Sequence, residues 1–163
     1  MNLSEEVLMG VAAVSVTLIG FSGVVTALGR KQDKSWSRPE AIQLFALVAP
    51  SIVTLTSAFV PIGGHLITEN SEFVWRFANA FCFFGHLFGV SYFIRMGSSL
   101  PVRFSHKVGL TCTFSVMAIL LVSALGLGEW YQFTFLLGLL LGIGVSVHNF
   151  YLLLSPAITG DDG

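Results

Sequence analysis

Five long apolar stretches, separated by short polar connections, make up most of this chain. They cover approximately residues 6–29, 40–67, 73–96, 107–127 and 130–155. A helix needs about 20 apolar residues to cross the hydrocarbon core of a bilayer. These stretches also lack the alternation with a period of two that marks the strands of a membrane barrel. The pattern therefore predicts an all-α fold, a single integral membrane bundle of five transmembrane helices that takes in residues 1–163.

The basic residues indicate which way such a bundle is oriented. Short connections make consecutive helices antiparallel neighbours, and connections rich in lysine and arginine stay on the cytoplasmic side. The chain has eight such residues, and seven of them lie at the first and third connections, namely Arg30, Lys31, Lys34, Arg38, Arg95, Arg103 and Lys107. We therefore expect the N-terminus outside, the C-terminus in the cytoplasm and the first and third connections on the cytoplasmic side.

Composition agrees with lipid as the main solvent of the chain. Of its 163 residues, 54% are hydrophobic and 10% are charged, whereas a soluble domain has about 25% charged residues. The net charge of −1 gives no general attraction to nucleic acid. The expected partners are the lipid bilayer and either another membrane protein or a second copy of the chain, and not nucleic acid.

Small residues recur at helical spacing in the fifth stretch. Gly138, Gly142, Ser146 and Asn149 follow one another at i, i+4, i+8 and i+11 and so share a face. Small side chains let two helix backbones approach closely, which is a main source of helix association in lipid. This face either packs against another helix of the same chain or contacts a second chain. The first stretch has a similar face, formed by Ala13, Thr17, Gly20 and Ala27.

The third stretch contains the most suggestive polar set. Asn79, Cys82 and His86 lie at i, i+3 and i+7 and therefore face one way, with His86 near the middle of the bilayer. Polar groups at that depth point into a bundle or into a wet cavity. Two interpretations stay open: Asn79 and His86 are hydrogen-bond partners of neighbouring helices, or the three residues form a site for a ligand, an ion or a proton.

Haem binding is the least favoured interpretation. Ligation by two histidines needs them at matching depth on opposed helices. His86 and His148 come nearest, but a rise of about 1.5 Å per residue places them about 7 Å apart in depth. The sequence has no His-Glu-x-x-His motif and no cluster of carboxylates within a span. We therefore expect no cofactor, no metal and no enzymatic activity, since the nearby Cys82 and His86 are a weak match to a nucleophile and its base.

The N-terminal region offers one resemblance. The run from Gly20 to Arg30, followed by Trp36 and Ser37, resembles the first span and loop of small, uncharacterised multi-pass bacterial membrane proteins over about the first 60 residues. The resemblance implies a bacterial inner membrane. It implies no activity and no functional residue.

Two functional hypotheses follow from these patterns. In the first, the protein acts through helix–helix association, as a partner subunit or as a homo-oligomer, because it has small-residue faces and no soluble domain. In the second, it has an intramembrane site for a small molecule, an ion or a proton around Asn79, Cys82 and His86.

The topology is tested by reporters fused to the two ends of the chain. We expect the N-terminal reporter to lie outside the cytoplasm and the C-terminal reporter inside it, because five crossings place the ends on opposite sides. Protease protection of the two reporters in intact cells measures this directly. If both reporters lie in one compartment, the five-span topology is wrong.

Overall fold

The computed structural model describes the backbone of residues 3–30, 38–97 and 104–159 and the side chains of residues 3–27, 41–96 and 108–154. Within these ranges all regular secondary structure is helical, as predicted. The helices are α1 (Glu5–Arg30), α2 (Arg38–Ile67), α3 (Ser71–Gly97), α4 (Phe104–Ala124) and α5 (Tyr131–Thr159).

Four of these helices, α1, α2, α3 and α5, are long and apolar enough to cross a membrane. The remaining helix, α4, has 21 residues, and its described apolar part covers Val108–Ala124. The span was predicted to end at about residue 127; α4 ends at Ala124, and Gly126 follows with a φ of +80°. That backbone conformation favours glycine. The Arg76 guanidinium from α3 donates to the carbonyls of Ala124 and Leu125 at the end of α4.

Consecutive helices run antiparallel, which gives the bundle two distinct ends. At the proximal end, where α1 begins, the Leu3 amide donates to Gln132 of α5 over 2.7 Å. The start of α3 meets the end of α4 there through Arg76. At the distal end, Phe45 of α2 packs against Tyr92 of α3 with ring centroids 4.1 Å apart. The helix ends that border residues 31–37 and 98–103 therefore meet at the distal end. Seven of the eight basic residues lie within these two segments or within four residues of them.

The helices surround a core that is packed mainly at the proximal end. Helices α3 and α5 contact each other across the middle of the bundle, whereas the described residues of α2 and α4 do not meet. Helix α1 packs against α2 and α5. The largest buried apolar cluster includes Trp75, Leu120, Phe135 and Leu139. This arrangement leaves room between α2 and α4 towards the distal end.

Candidate binding cavity

The close approach of α5 to its neighbours depends on two glycines. A Cβ placed on Gly142 would overlap the hydroxyl of Thr54 on α2 and would lie 3.3 Å from the carbonyl oxygen of Pro50. A Cβ on Gly138 would lie 2.9 Å from the sulfur of Cys82 on α3. Both contacts are tighter than an ordinary van der Waals separation, so any side chain at either position would push the helices apart.

A hydrogen-bond network around Asn79 joins three helices at the proximal side of these glycines. The Asn79 amide nitrogen donates to the carbonyls of Trp75 (2.8 Å) and Tyr131 (2.9 Å). Its oxygen accepts from the hydroxyl of Thr134 (3.0 Å), which lies 2.8 Å from Ser123 of α4. Every polar atom of the fully buried Asn79 side chain therefore has a partner, and each of those contacts is within the chain.

The other two residues of the α5 small-residue face also lie between helices of the same chain. Ser146 is fully buried, with its hydroxyl 2.9 Å from that of Ser51 on α2. Asn149 is buried and donates to the carbonyl of Val145 over 2.8 Å. Gly138, Gly142, Ser146 and Asn149 thus lie on the inner side of α5, facing the bundle.

A cavity of about 570 Å³ lies in the distal half of the bundle, between α2, α3, α4 and α5. Its wall is mostly apolar and includes Phe45, Val53, Phe93, Val108 and Leu141. Ligand pockets in proteins are typically about 300–1,000 Å³, apolar, with a few polar groups that orient the ligand. The size and lining of this cavity agree with that description.

Three glycines, one on each of three helices, leave the cavity open. Gly89 of α3, Gly109 of α4 and Gly144 of α5 all line it, and a Cβ added to any of them would meet no atom within 4 Å. They differ in this from Gly138 and Gly142, where a Cβ would meet neighbouring atoms at once. Of the three glycines of α5, Gly138 and Gly142 allow close contact with other helices, whereas Gly144 leaves open space beside the helix.

Polar side chains line one part of the otherwise apolar wall. His86, Thr113 and Asn149 are buried, whereas His148 and Cys112 are exposed. The His86 ring is held by its Nε2, which lies 3.0 Å from the carbonyl oxygen of Gly138. No Asp, Glu, Lys or Arg is found among the described residues that line the cavity.

The structure separates the three residues that the sequence placed in one candidate site. Asn79, Cys82 and His86 do face the same way, towards α5. Only His86 reaches the cavity, since Asn79 is held in its hydrogen-bond network. Cys82 is fully buried beside Gly138 and does not line the cavity.

The contribution of α4 to the cavity wall was not predicted from the sequence. Gly109, Cys112 and Thr113 come from this helix and form one side of the cavity. Gly109 and Thr113 are four residues apart, so they share a helix face. The spacing of Gly109 and Thr113 could have indicated a small-residue face on α4, although this face has fewer residues than the one on α5.

His86 and His148 line the same cavity, which is the juxtaposition that haem would need. However, the Nε2 of His86 is engaged with the carbonyl of Gly138, so haem ligation through that nitrogen would break a buried hydrogen bond. Among the described residues there is also no group of three or more side chains placed to hold a metal ion.

Comparisons of the chain with protein-family models, with curated proteins and with solved structures find no match. The assignment of function therefore depends on the cavity itself and on the helices that form it.

The two kinds of glycine on α5 respond differently to a single added methyl group. We expect Gly142→Ala to destabilise the protein by about 1–3 kcal/mol, because its Cβ overlaps Thr54 in a packed contact. Gly144→Ala is the matched control on the same helix, and we expect no loss of stability there, because the added methyl group meets no atom and alanine favours a helix more than glycine does. Thermal unfolding of the purified variants in detergent measures both. Equal stability of the two variants would contradict the close packing described here.

Proposed function

We propose that this protein is a five-span protein of the bacterial inner membrane that binds a neutral, lipid-soluble small molecule in the distal cavity. The observation that supports this most directly is the cavity of about 570 Å³ with the His86 imidazole on its wall. An empty cavity of this size destabilises a helix bundle, because the side chains that line it lose dispersion contacts. An occupant of matching shape restores those contacts.

The orientation of the bundle in this proposal follows from the chemistry of its two ends. Helix ends that adjoin the basic first and third connections meet at the distal end, and such connections stay in the cytoplasm. The cavity then lies in the cytoplasmic half of the bilayer. Helix α4 is shorter than its neighbours but packs against both α3 and α5, which supports its crossing the membrane with them.

The lining of the cavity favours a neutral ligand. A charged molecule in an apolar site pays a large desolvation cost unless an opposite charge pairs with it, and no described lining residue has a carboxylate, an ammonium or a guanidinium group. The exposed Val108 and Cys112 of α4 and Gly144 of α5 border the cavity. A molecule dissolved in the bilayer reaches the cavity along this side. Reversible binding of such a molecule requires no catalytic group.

Cys112 provides a direct reporter of occupancy. It is exposed and lines the cavity, whereas the only other cysteine, Cys82, is fully buried. In lipid nanodiscs, we expect a saturating long-chain alkylphenol to slow the modification of Cys112 by an apolar maleimide several-fold, while Cys82 stays unmodified. Mass spectrometry of the two cysteine peptides over time measures the rates.

Two leucine substitutions show whether the protection comes from the cavity. Gly144→Leu fills part of the cavity and should abolish the protection of Cys112. Gly63→Leu is the matched control, because Gly63 also has no atom within 4 Å of an added Cβ but does not line the cavity. If the alkylphenol leaves the rate at Cys112 unchanged in the wild-type protein, or if it protects Gly144→Leu equally well, the proposed function is wrong.

A second function, association with another chain, is favoured by the outward face of α1. Gly10, Ala13, Thr17, Gly20 and Ala27 are exposed and share one side of this helix. A Cβ added to Gly10 or Gly20 would meet no atom within 4 Å, so this face has room for the close approach of another helix. We propose this face, and not the buried face of α5, as the surface through which a homo-oligomer or a partner subunit would form.

A single bulky residue on α1 tests this second proposal. We expect Gly20→Leu to weaken association by about tenfold or more, because a bulky side chain prevents the close approach of two helix backbones. Gly63→Leu on α2 again serves as the control and should leave association unchanged. Cross-linking yields in native membranes report both variants. A strictly monomeric wild-type protein would exclude the proposal.

A further inference from the structure

The buried polar side chains on the cavity wall have one property in common: each already donates a hydrogen bond to a backbone carbonyl. The hydroxyl of Thr113 donates to the carbonyl of Gly109 over 2.8 Å. The amide nitrogen of Asn149 donates to the carbonyl of Val145 over 2.8 Å. The Nε2 of His86 lies 3.0 Å from the carbonyl of Gly138, which can only accept.

These bonds determine what the three side chains can still offer. In a neutral imidazole one ring nitrogen is a donor and the other an acceptor, so the bond from Nε2 of His86 leaves Nδ1 as an acceptor. Thr113 has used its single hydroxyl hydrogen and retains only lone pairs. The Asn149 side chain keeps its carbonyl oxygen as an acceptor, together with one remaining N–H. Acceptors therefore predominate on the buried polar wall.

The geometry points to a ligand whose head group donates a hydrogen bond, namely a lipid-soluble alcohol or phenol. This inference rests on the proposed function, since it specifies the chemistry of the molecule that the cavity takes. A head group that can only accept, such as an ether, would bring its lone pairs against those of His86 and Thr113. A donor satisfies them, and unmet buried polar groups are costly.

The preference for a hydrogen-bond donor also distinguishes the ligand from the acyl chains of the surrounding lipid. The acyl chains of bilayer lipids have no hydrogen-bond donor, and their ester groups only accept. They can fill apolar volume but cannot satisfy the acceptors at His86 and Thr113. His148 also lines the cavity but is exposed, and since a neutral imidazole has one donor and one acceptor nitrogen, it favours neither kind of head group.

The test compares a phenol with its methyl ether, in which a methyl group replaces the hydrogen-bond donor. A long-chain alkylphenol and its methyl ether are titrated against the modification of Cys112 in lipid nanodiscs. We expect the phenol to protect at a concentration about fivefold to tenfold lower than the ether, which corresponds to one neutral hydrogen bond. The preference should disappear in His86→Phe, and it should return in His86→Gln, whose amide can donate to Gly138 and accept from the probe.

A measurement on the wild-type protein keeps the inference falsifiable if the His86 variants fail to fold. The ¹⁵N chemical shifts of labelled histidine distinguish a protonated ring nitrogen from an unprotonated one. We expect Nδ1 of His86 to be unprotonated and Nε2 to bear the hydrogen.

The outcomes separate this inference from the proposed function. If neither probe protects Cys112, the cavity does not bind such molecules and both proposals fail. If the phenol and the ether protect equally, or if the hydrogen of His86 is found on Nδ1, the preference for a donor is overturned while binding in the cavity stands.

Discussion

The contact of α5 with α2 and α3 at Gly138 and Gly142 is the feature on which the rest of the structure depends. Helices in lipid gain little from the hydrophobic effect on meeting, so packing and hydrogen bonds hold them together. Because Gly142 has no side chain, the α5 backbone reaches Thr54 and the carbonyl of Pro50. The same proximity brings the carbonyl of Gly138 within 3.0 Å of His86. A side chain at either glycine would lengthen that bond and release the imidazole.

The two halves of the bundle differ in their packing and in their hydrogen bonds. At the proximal end, Asn79 links α3 to the carbonyl of Tyr131 and to Thr134, and an apolar cluster fills the remaining space. At the distal end, α2 and α4 stay apart and the cavity lies between them. In the proximal half the side chains of Asn79 and Thr134 are hydrogen-bonded within the chain, whereas the buried indole nitrogen of Trp75 has no partner among the described residues. The polar groups of the distal half retain acceptors that only a further molecule or a solvent can satisfy.

Helix α1 has a different relation to the bundle from the other four. It packs against α2 and α5, and the proximal residues Leu3, Leu8 and Val11 join the buried cluster. The side that bears Gly10 and Gly20 faces away from the other described helices. The helix therefore covers one flank of the bundle, and its outer side does not border the cavity.

The sequence by itself determined the elements and their order. Apolar runs of more than 20 residues are local signals, so the all-α fold, the antiparallel order and the approximate bounds of the helices could be read from them. Periodicity also showed that Asn79, Cys82 and His86 share a face. The end of α4 could not be predicted from the apolar pattern alone. It depends on the conformation of Gly126 and on the hydrogen bond that Arg76 of α3 donates to the last turn of α4.

Only the tertiary structure decided what each face meets. A helical period shows which residues point the same way, but the distance between two helices is set by the pair of surfaces in contact. Gly142 and Gly144 are alike in the sequence, yet one lies against Thr54 and the other has open space beside it. For the same reason Asn79 lies in a hydrogen-bond network between helices, whereas His86 lines the cavity. Their roles depend on side chains of α4 and α5 that lie more than 20 residues away in the chain.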